Sequence, residues 1–195
     1  KDINSPNSVD RAIAVGYGAV SSNQSSTAIG DLAKTAGHQS ISIGTNTETQ
    51  GNNSGNIGYA GEFGDTNRTV VNGSETYVLG NRNGNINAQN TGVYGNDNVF
   101  SDTSPTGSTT TNLIVTGNRN QINQTAVLDG QSVIGQQNIT TNASNSQTYG
   151  NKNKVYATDS SIQGNNNTLT NKSVDGHIVG NSNSVDGRGG LALGT

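Results

Sequence analysis

Short apolar steps recur along the chain, and a glycine closes each of them: Gly16, Gly30, Gly44, Gly58, Gly80, Gly95, Gly117, Gly135, Gly150, Gly164, Gly180 and Gly194. Their spacings are 14, 14, 14, 22, 15, 22, 18, 15, 14, 16 and 14 residues, a base period of 14 with extra residues in some turns, which marks an internal repeat. The residue before the glycine is mostly apolar, as in Val15, Ile29, Ile43, Ile57, Leu79, Tyr94, Ile134, Tyr149, Val179 and Leu193. So, in many turns, is the residue two before it, as in Ala14, Ala28, Val78, Val93, Val115, Val133, Ile162 and Ile178. Adjacent residues of a strand face opposite sides, so two apolar columns predict a strand covered on both faces. A second apolar step starts five residues after the glycine, at Phe100, Ile122, Val155, Leu169 and Val185. Each turn therefore predicts two short strands and two corners. Helix is excluded because no apolar period of 3.6 persists and Gly or Asn interrupts every window.

Three residues after the glycine stand Ala19, Ala33, Thr47 and Gly61, then Asn83, Asn98, Asn120, Asn138, Asn153, Asn167 and Asn183. Gly and Asn tolerate positive φ, and an Asn side chain bonds nearby backbone, which assigns this column to a tight corner. Stacked corners would form a ladder of amide hydrogen bonds. The residue just before each of these asparagines reads Arg82, Asp97, Arg119, Gln137, Lys152, Asn166 and Ser182, a free variation that points to water. The structural repeat thus rests on Gly30, Gly44, Gly95, Gly117, Gly150, Gly164 and Gly180 with Asn98, Asn120, Asn153, Asn167 and Asn183. The fold class is all-β, a parallel β-roll (solenoid) of about 14-residue turns, with residues 1–195 as a single β-roll domain.

Composition narrows the function. Only 28% of residues are hydrophobic, yet net charge is only -3 and charged residues are 12%, so the polarity lies in groups that pair with backbone and with one another. That favours an ordered, hydrogen-bonded repeat over a disordered chain. Without cysteine there is neither a disulfide frame nor a thiolate metal site, and no metal or cofactor is implied. No basic cluster suits nucleic acid, and no apolar run approaches a membrane span. His38 and His177, the only histidines, lie about ten turns apart, roughly 45–50 Å at the spacing of strands. They cannot cooperate within one chain. Asp129, Asp159, Asp175 and Asp186 lack matching repeat positions, so a glycosidase-like carboxylate pair is unsupported. The repeat reaches both ends of the sequence, which reads as the middle of a longer protein. A flattened two-layer coil buries little, and its second apolar face calls for a cover that identical chains supply most economically.

The long intervals place loops near 62–75 and 101–112. Glu62, Phe63, Asp65 and Arg68 in the first, and Asp102, Thr103 and Thr106 in the second, are the candidate ligand-binding residues. Phe63 among charges is either an interface anchor or a plug that folds back over the gap in the roll.

The stretch from Ser25 to Gly37 carries Ser26, Ala28, Gly30 and Ala33 as Ser-x-Ala-x-Gly-x-x-Ala, and Ala14, Gly16 and Ala19 repeat it. This resembles the head repeat of trimeric autotransporter adhesins, such as the Yersinia adhesin A head. The resemblance implies a left-handed roll assembled as a homotrimer on the outer membrane of a Gram-negative bacterium. It implies attachment to the membrane only through a C-terminal anchor that this sequence lacks. The implied partners are a host matrix protein (collagen, fibronectin or laminin) or a cell receptor such as a carcinoembryonic-antigen-related adhesion molecule. Two alternatives remain open: a monomeric solenoid that binds or processes polysaccharide, or a spacer segment of an adhesin.

Overall fold

The computed structural model describes residues 11–61, 69–102, 111–125 and 129–195. Its contacts define two compact units, Lys1–Asp97 and Asn98–Thr195, where the sequence reads as one domain. Each is a parallel β-solenoid, and no helix occurs among the described residues. The first unit holds β1 (Ile13–Val15), β2 (Val20–Ser21), β3 (Thr27–Ile29), β4 (Lys34–Thr35), β5 (Ile41–Ile43), β6 (Glu48–Thr49), β7 (Gly55–Ile57), β8 (Val70–Val71), β9 (Tyr77–Leu79) and β10 (Gly92–Tyr94). The second holds β11 (Val99–Asp102), β12 (Ile114–Thr116), β13 (Gln121–Gln124), β14 (Ser132–Gln136), β15 (Ile139–Thr141), β16 (Gln147–Asn151), β17 (Lys154–Val155), β18 (Ser161–Gln163), β19 (Thr168–Leu169), β20 (His177–Gly180), β21 (Ser184–Val185) and β22 (Leu191–Gly194).

In each unit the strand that precedes the marker glycine joins one parallel sheet and the strand that follows it joins another. Register follows the repeat: Ile13, Thr27, Ile41, Gly55, Tyr77 and Gly92 form one column. The 22-residue interval after Gly58 leaves that register intact, since Asn56 pairs with Val78 and Thr49 with Val71. Its excess over 14 falls between Ala60 and Thr69, which are joined by a Thr69 N–H to Ala60 carbonyl bond of 3.3 Å. The span 62–75 is thus a loop only in part. Val70 and Val71 are buried as β8, an apolar pair with no glycine marker to announce it. In the second unit Ser101 and Asp102 complete β11 against Asn123 and Gln124, and Thr111 bridges to Asp129. The span 101–112 is therefore solenoid at both ends.

The corners depart from the expectation in one respect. Left-handed backbone falls on the variable residue, at Arg82, Asp97, Arg119, Gln137, Lys152, Asn166 and Ser182 with φ of 50 to 59°, and not on the asparagine that follows. A second left-handed residue lies five before each glycine, as in Ser25, Gln39, Asn53, Glu75, Asn145, Asp159 and Asp175. The variable residue points outward and is free to vary because the corner asks only for its backbone.

The asparagine after it turns inward and completes the corner. Asn153 donates its backbone N–H to Asn138 Oδ1 at 3.0 Å and its Nδ2 to the same atom at 3.2 Å. The same Nδ2 donates to the Gly164 carbonyl at 2.7 Å, while Asn153 Oδ1 accepts from the N–H and Nδ2 of Asn167. The pattern runs through Asn98, Asn120, Asn138, Asn153, Asn167 and Asn183. All but Asn183 are fully enclosed, and each amide finds its partners in the turns above and below. A second ladder lies at the surface with the opposite sense: Asn151 N–H and Nδ2 donate forward to Asn165 Oδ1, and Asn165 donates forward to Asn181.

The marker glycine is required twice over. Gly164 has φ of +139°, and a Cβ there would stand 1.7 Å from the Gly180 carbonyl oxygen. Gly164→Ala is expected to cost about 3 kcal/mol or more, whereas Lys152→Gly at the left-handed corner changes stability by less than about 1 kcal/mol in urea unfolding. Asn153→Ala strands the Asn167 N–H and the Gly164 carbonyl and is expected to cost about 2–4 kcal/mol. Asn153→Asp is expected to be worse at neutral pH and partly restored in acid, where a protonated carboxyl regains one donor. Melting temperatures of the two variants across pH check this.

Candidate functional site

The inner columns are closed and the outer ones are not. Two residues before the glycine, Val115, Val133, Ile162 and Ile178 are fully buried between the two sheets of their unit. One and three residues before it, side chains leave the first sheet on its far side. Of the sixteen large apolar side chains exposed among the described residues, all but Tyr17 and Val99 sit in these two columns. In the first unit they include Ile13, Val15, Ile41, Tyr77, Leu79 and Tyr94, and in the second Ile114, Ile134, Tyr149, Val179, Leu191 and Leu193. Leu193 is 70% exposed and even the more sheltered Tyr149 is 37% exposed. A strand covered on both faces is thus half realised within one chain. Sequence reasoning found the column next to the glycine and missed the one two residues earlier, where Ile13, Ile41, Tyr77 and Ile114 supplied the signal.

The face is not uniformly apolar. Gln147, Ser161, Gln163 and His177 interrupt it in the second unit, with Ser161 Oγ and His177 Nδ1 2.8 Å apart. Charges lie elsewhere, in exposed pairs. Arg82 Nε reaches Asp97 Oδ1 at 2.7 Å, and Lys172 and Arg188 approach Asp186 and Asp175. Such pairs contribute little to stability. The charge column is a solvated edge, and its Arg82 and Asp97 pair from one turn to the next.

Of the predicted ligand-binding residues, Glu62, Phe63, Asp65, Arg68, Thr103 and Thr106 lie outside the described residues. Asp102 is placed by its backbone as the last residue of β11. The described structure therefore brings none of them together into a site. No group of three or more His, Cys, Asp or Glu side chains capable of holding a metal occurs among the described residues.

Parallel turns of about 14 residues, with an exposed apolar face on the first sheet of each unit, define a repeat-built solenoid. Residues 10–33, 21–47 and 36–54 match the family model described as YadA head domain repeat (2 copies), so this part of the chain is similar to the head repeats of trimeric autotransporter adhesins. No curated protein matches the chain. Such repeats are those of exported surface adhesins of Gram-negative bacteria, and together with the β-solenoid fold they suggest a structural or binding protein.

Asp129 is the carboxylate that ties its turn to the preceding one. Asn112 Nδ2 donates to it at 2.6 Å and Thr111 Oγ1 at 2.8 Å, and these bonds hold its pKa below the ordinary 3.8. A depressed folded-state pKa contributes stability that is complete above 3.8 and lost as pH falls through the folded value. Asp129→Ala is accordingly expected to lower the melting temperature at neutral pH, with the difference shrinking as pH drops below 3.8.

Proposed function

We propose that this chain is the ligand-presenting head of a bacterial surface adhesin, assembled as a homotrimer through the outer face of the first sheet. The observation that carries the assembly is the double column of exposed Ile, Val, Leu and Tyr. A soluble surface rarely leaves a contiguous apolar strip open, and covering a half-exposed Ile or Leu returns about 1 kcal/mol each. Three copies of one face around an axis close on themselves and leave the second sheets outward. The head sits on the outer surface of a Gram-negative cell, and its partner is a host matrix protein or cell receptor. Contacts fall on the insertions, through Glu62, Phe63, Asp65 and Arg68 and through Asp102, Thr103 and Thr106. Three copies of each contact raise a weak affinity through multivalency.

Sedimentation equilibrium together with solid-phase binding to collagen, fibronectin, laminin and whole epithelial cells tests the reading. The expected particle has three times the 20.0 kDa of one chain. Val179→Asp, which sets a charge in the apolar face, is expected to yield monomers and at least a tenfold loss of binding. A 20.0 kDa particle for the unaltered protein would sink the trimer. Binding that survives removal of residues 62–68 and 103–110 would move the contact away from the insertions.

A further inference from the structure

The outer face of the second sheet in the second unit holds a groove of about 360 Å³, lined by Thr141, Asn142, Tyr156, Thr170 and Asn171. That volume falls at the lower end of the range for small-ligand sites, about 300–1,000 Å³. The register explains the shape. Val155 pairs with Thr140 on one side and with Leu169 on the other, so Tyr156, the next residue along, stands between Thr141 and Thr170. Two short side chains, each one strand spacing away, leave the ring of Tyr156 as the broad apolar surface of the groove. Tyr149, the other tyrosine of this unit, lies on the first sheet, and Phe100 pairs with the buried Ile122.

The polar groups around the ring are neutral and in part fixed. Asn142 is locked by Thr125, whose N–H donates to Asn142 Oδ1 at 2.8 Å and whose Oγ1 accepts from Asn142 Nδ2 at 2.7 Å. One Asn142 side-chain N–H is left over among the described residues. Thr170 Oγ1 donates to Asp186 Oδ1, and Lys172 Nζ lies 3.4 Å from Asp186 Oδ2, so the charges near the rim neutralise one another. The amide of Asn171 and the hydroxyl of Tyr156 make no hydrogen bond among the described residues.

We propose that this groove is a binding subsite for a neutral saccharide. One face of a pyranose ring presents C–H groups that lie flat on an aromatic ring, and its vicinal hydroxyls donate and accept, as the amides of Asn142 and Asn171 do. An anion finds no uncompensated cation in the lining. An extended peptide finds no free strand edge, because β17 is paired on both sides. A purely apolar ligand would bury the amides without partners. The site belongs to a single chain and stands whether or not the head is trimeric; only its use in adhesion rests on the preceding proposal.

Saturation-transfer NMR on the intact 195-residue protein tests it, with methyl glycosides of glucose, galactose, mannose and N-acetylglucosamine and their β-linked trisaccharides as probes. At least one probe is expected to receive saturation on its ring C–H protons, with about millimolar affinity for a monosaccharide. Tyr156→Ala is expected to weaken binding at least tenfold, Asn171→Ala severalfold, and Tyr156→Phe little, at unchanged circular dichroism. Asn171 is exposed, so its variant reports on the groove even if Tyr156→Ala fails to fold. No transfer to any probe, or binding indifferent to both Tyr156→Ala and Asn171→Ala, overturns the proposal. Saccharide binding without attachment to cells or matrix would overturn the adhesin and leave the subsite standing.

Discussion

In a coil this thin, a corner has no interior of its own, and the donors and acceptors it turns inward must be met by the turn above and the turn below. The buried asparagine meets that demand. Its oxygen accepts two bonds from the next turn, and its nitrogen serves the preceding amide and the next glycine carbonyl. Glycine follows from the same demand, because the carbonyl of the next turn comes so close that no side chain fits between. Strand length, register and the placement of apolar residues are all downstream of this stacking.

The two units meet the demand with different chemistry. The early turns of the first fill their interior with hydroxyls: Ser21, Ser26, Thr35, Ser40, Ser42 and Thr49 are buried, and they bond to each other and to backbone, as in Thr35 Oγ1 to Ser21 Oγ at 3.1 Å, before Val71, Val78, Ile86 and Val93 take their place. The second packs Val115, Val133, Val155, Ile162, Leu169 and Ile178 beside its amide ladder. A hydroxyl interior needs little volume and tolerates a narrow coil. Aliphatic side chains bury more apolar surface per turn, and the polar groups left to be matched are the corner amides and a few enclosed side chains such as Gln131, Ser146 and Ser160.

Much of this was legible in the sequence, since a repeat shows each structural demand a dozen times. The glycine column gave the period, the asparagine column gave the ladder, and both were placed on corners. The left-handed backbone was assigned to the wrong neighbour, because propensity favours Asn at positive φ, while here Arg82, Asp97 and Lys152 carry it and the asparagines are held inward by their bonds. The short strand Val70–Val71 escaped notice, because an interval of unusual length hides where the register resumes. Tyr156 carries no signal of its own in the sequence. What makes it distinctive is the size of its neighbours in adjacent turns, a relation that lies 14 or 15 residues away in the chain.

Stacking turn upon turn also sets how such a coil yields to force. A pull along its axis meets the strands broadside, so the hydrogen bonds of one turn open nearly together while those of the next still hold. Each released turn of 14 residues adds roughly 40–45 Å of slack, from about 3.3–3.6 Å per residue less the strand spacing it gives up. The coil therefore lengthens in steps and absorbs work at each one, as a chain of small fuses does.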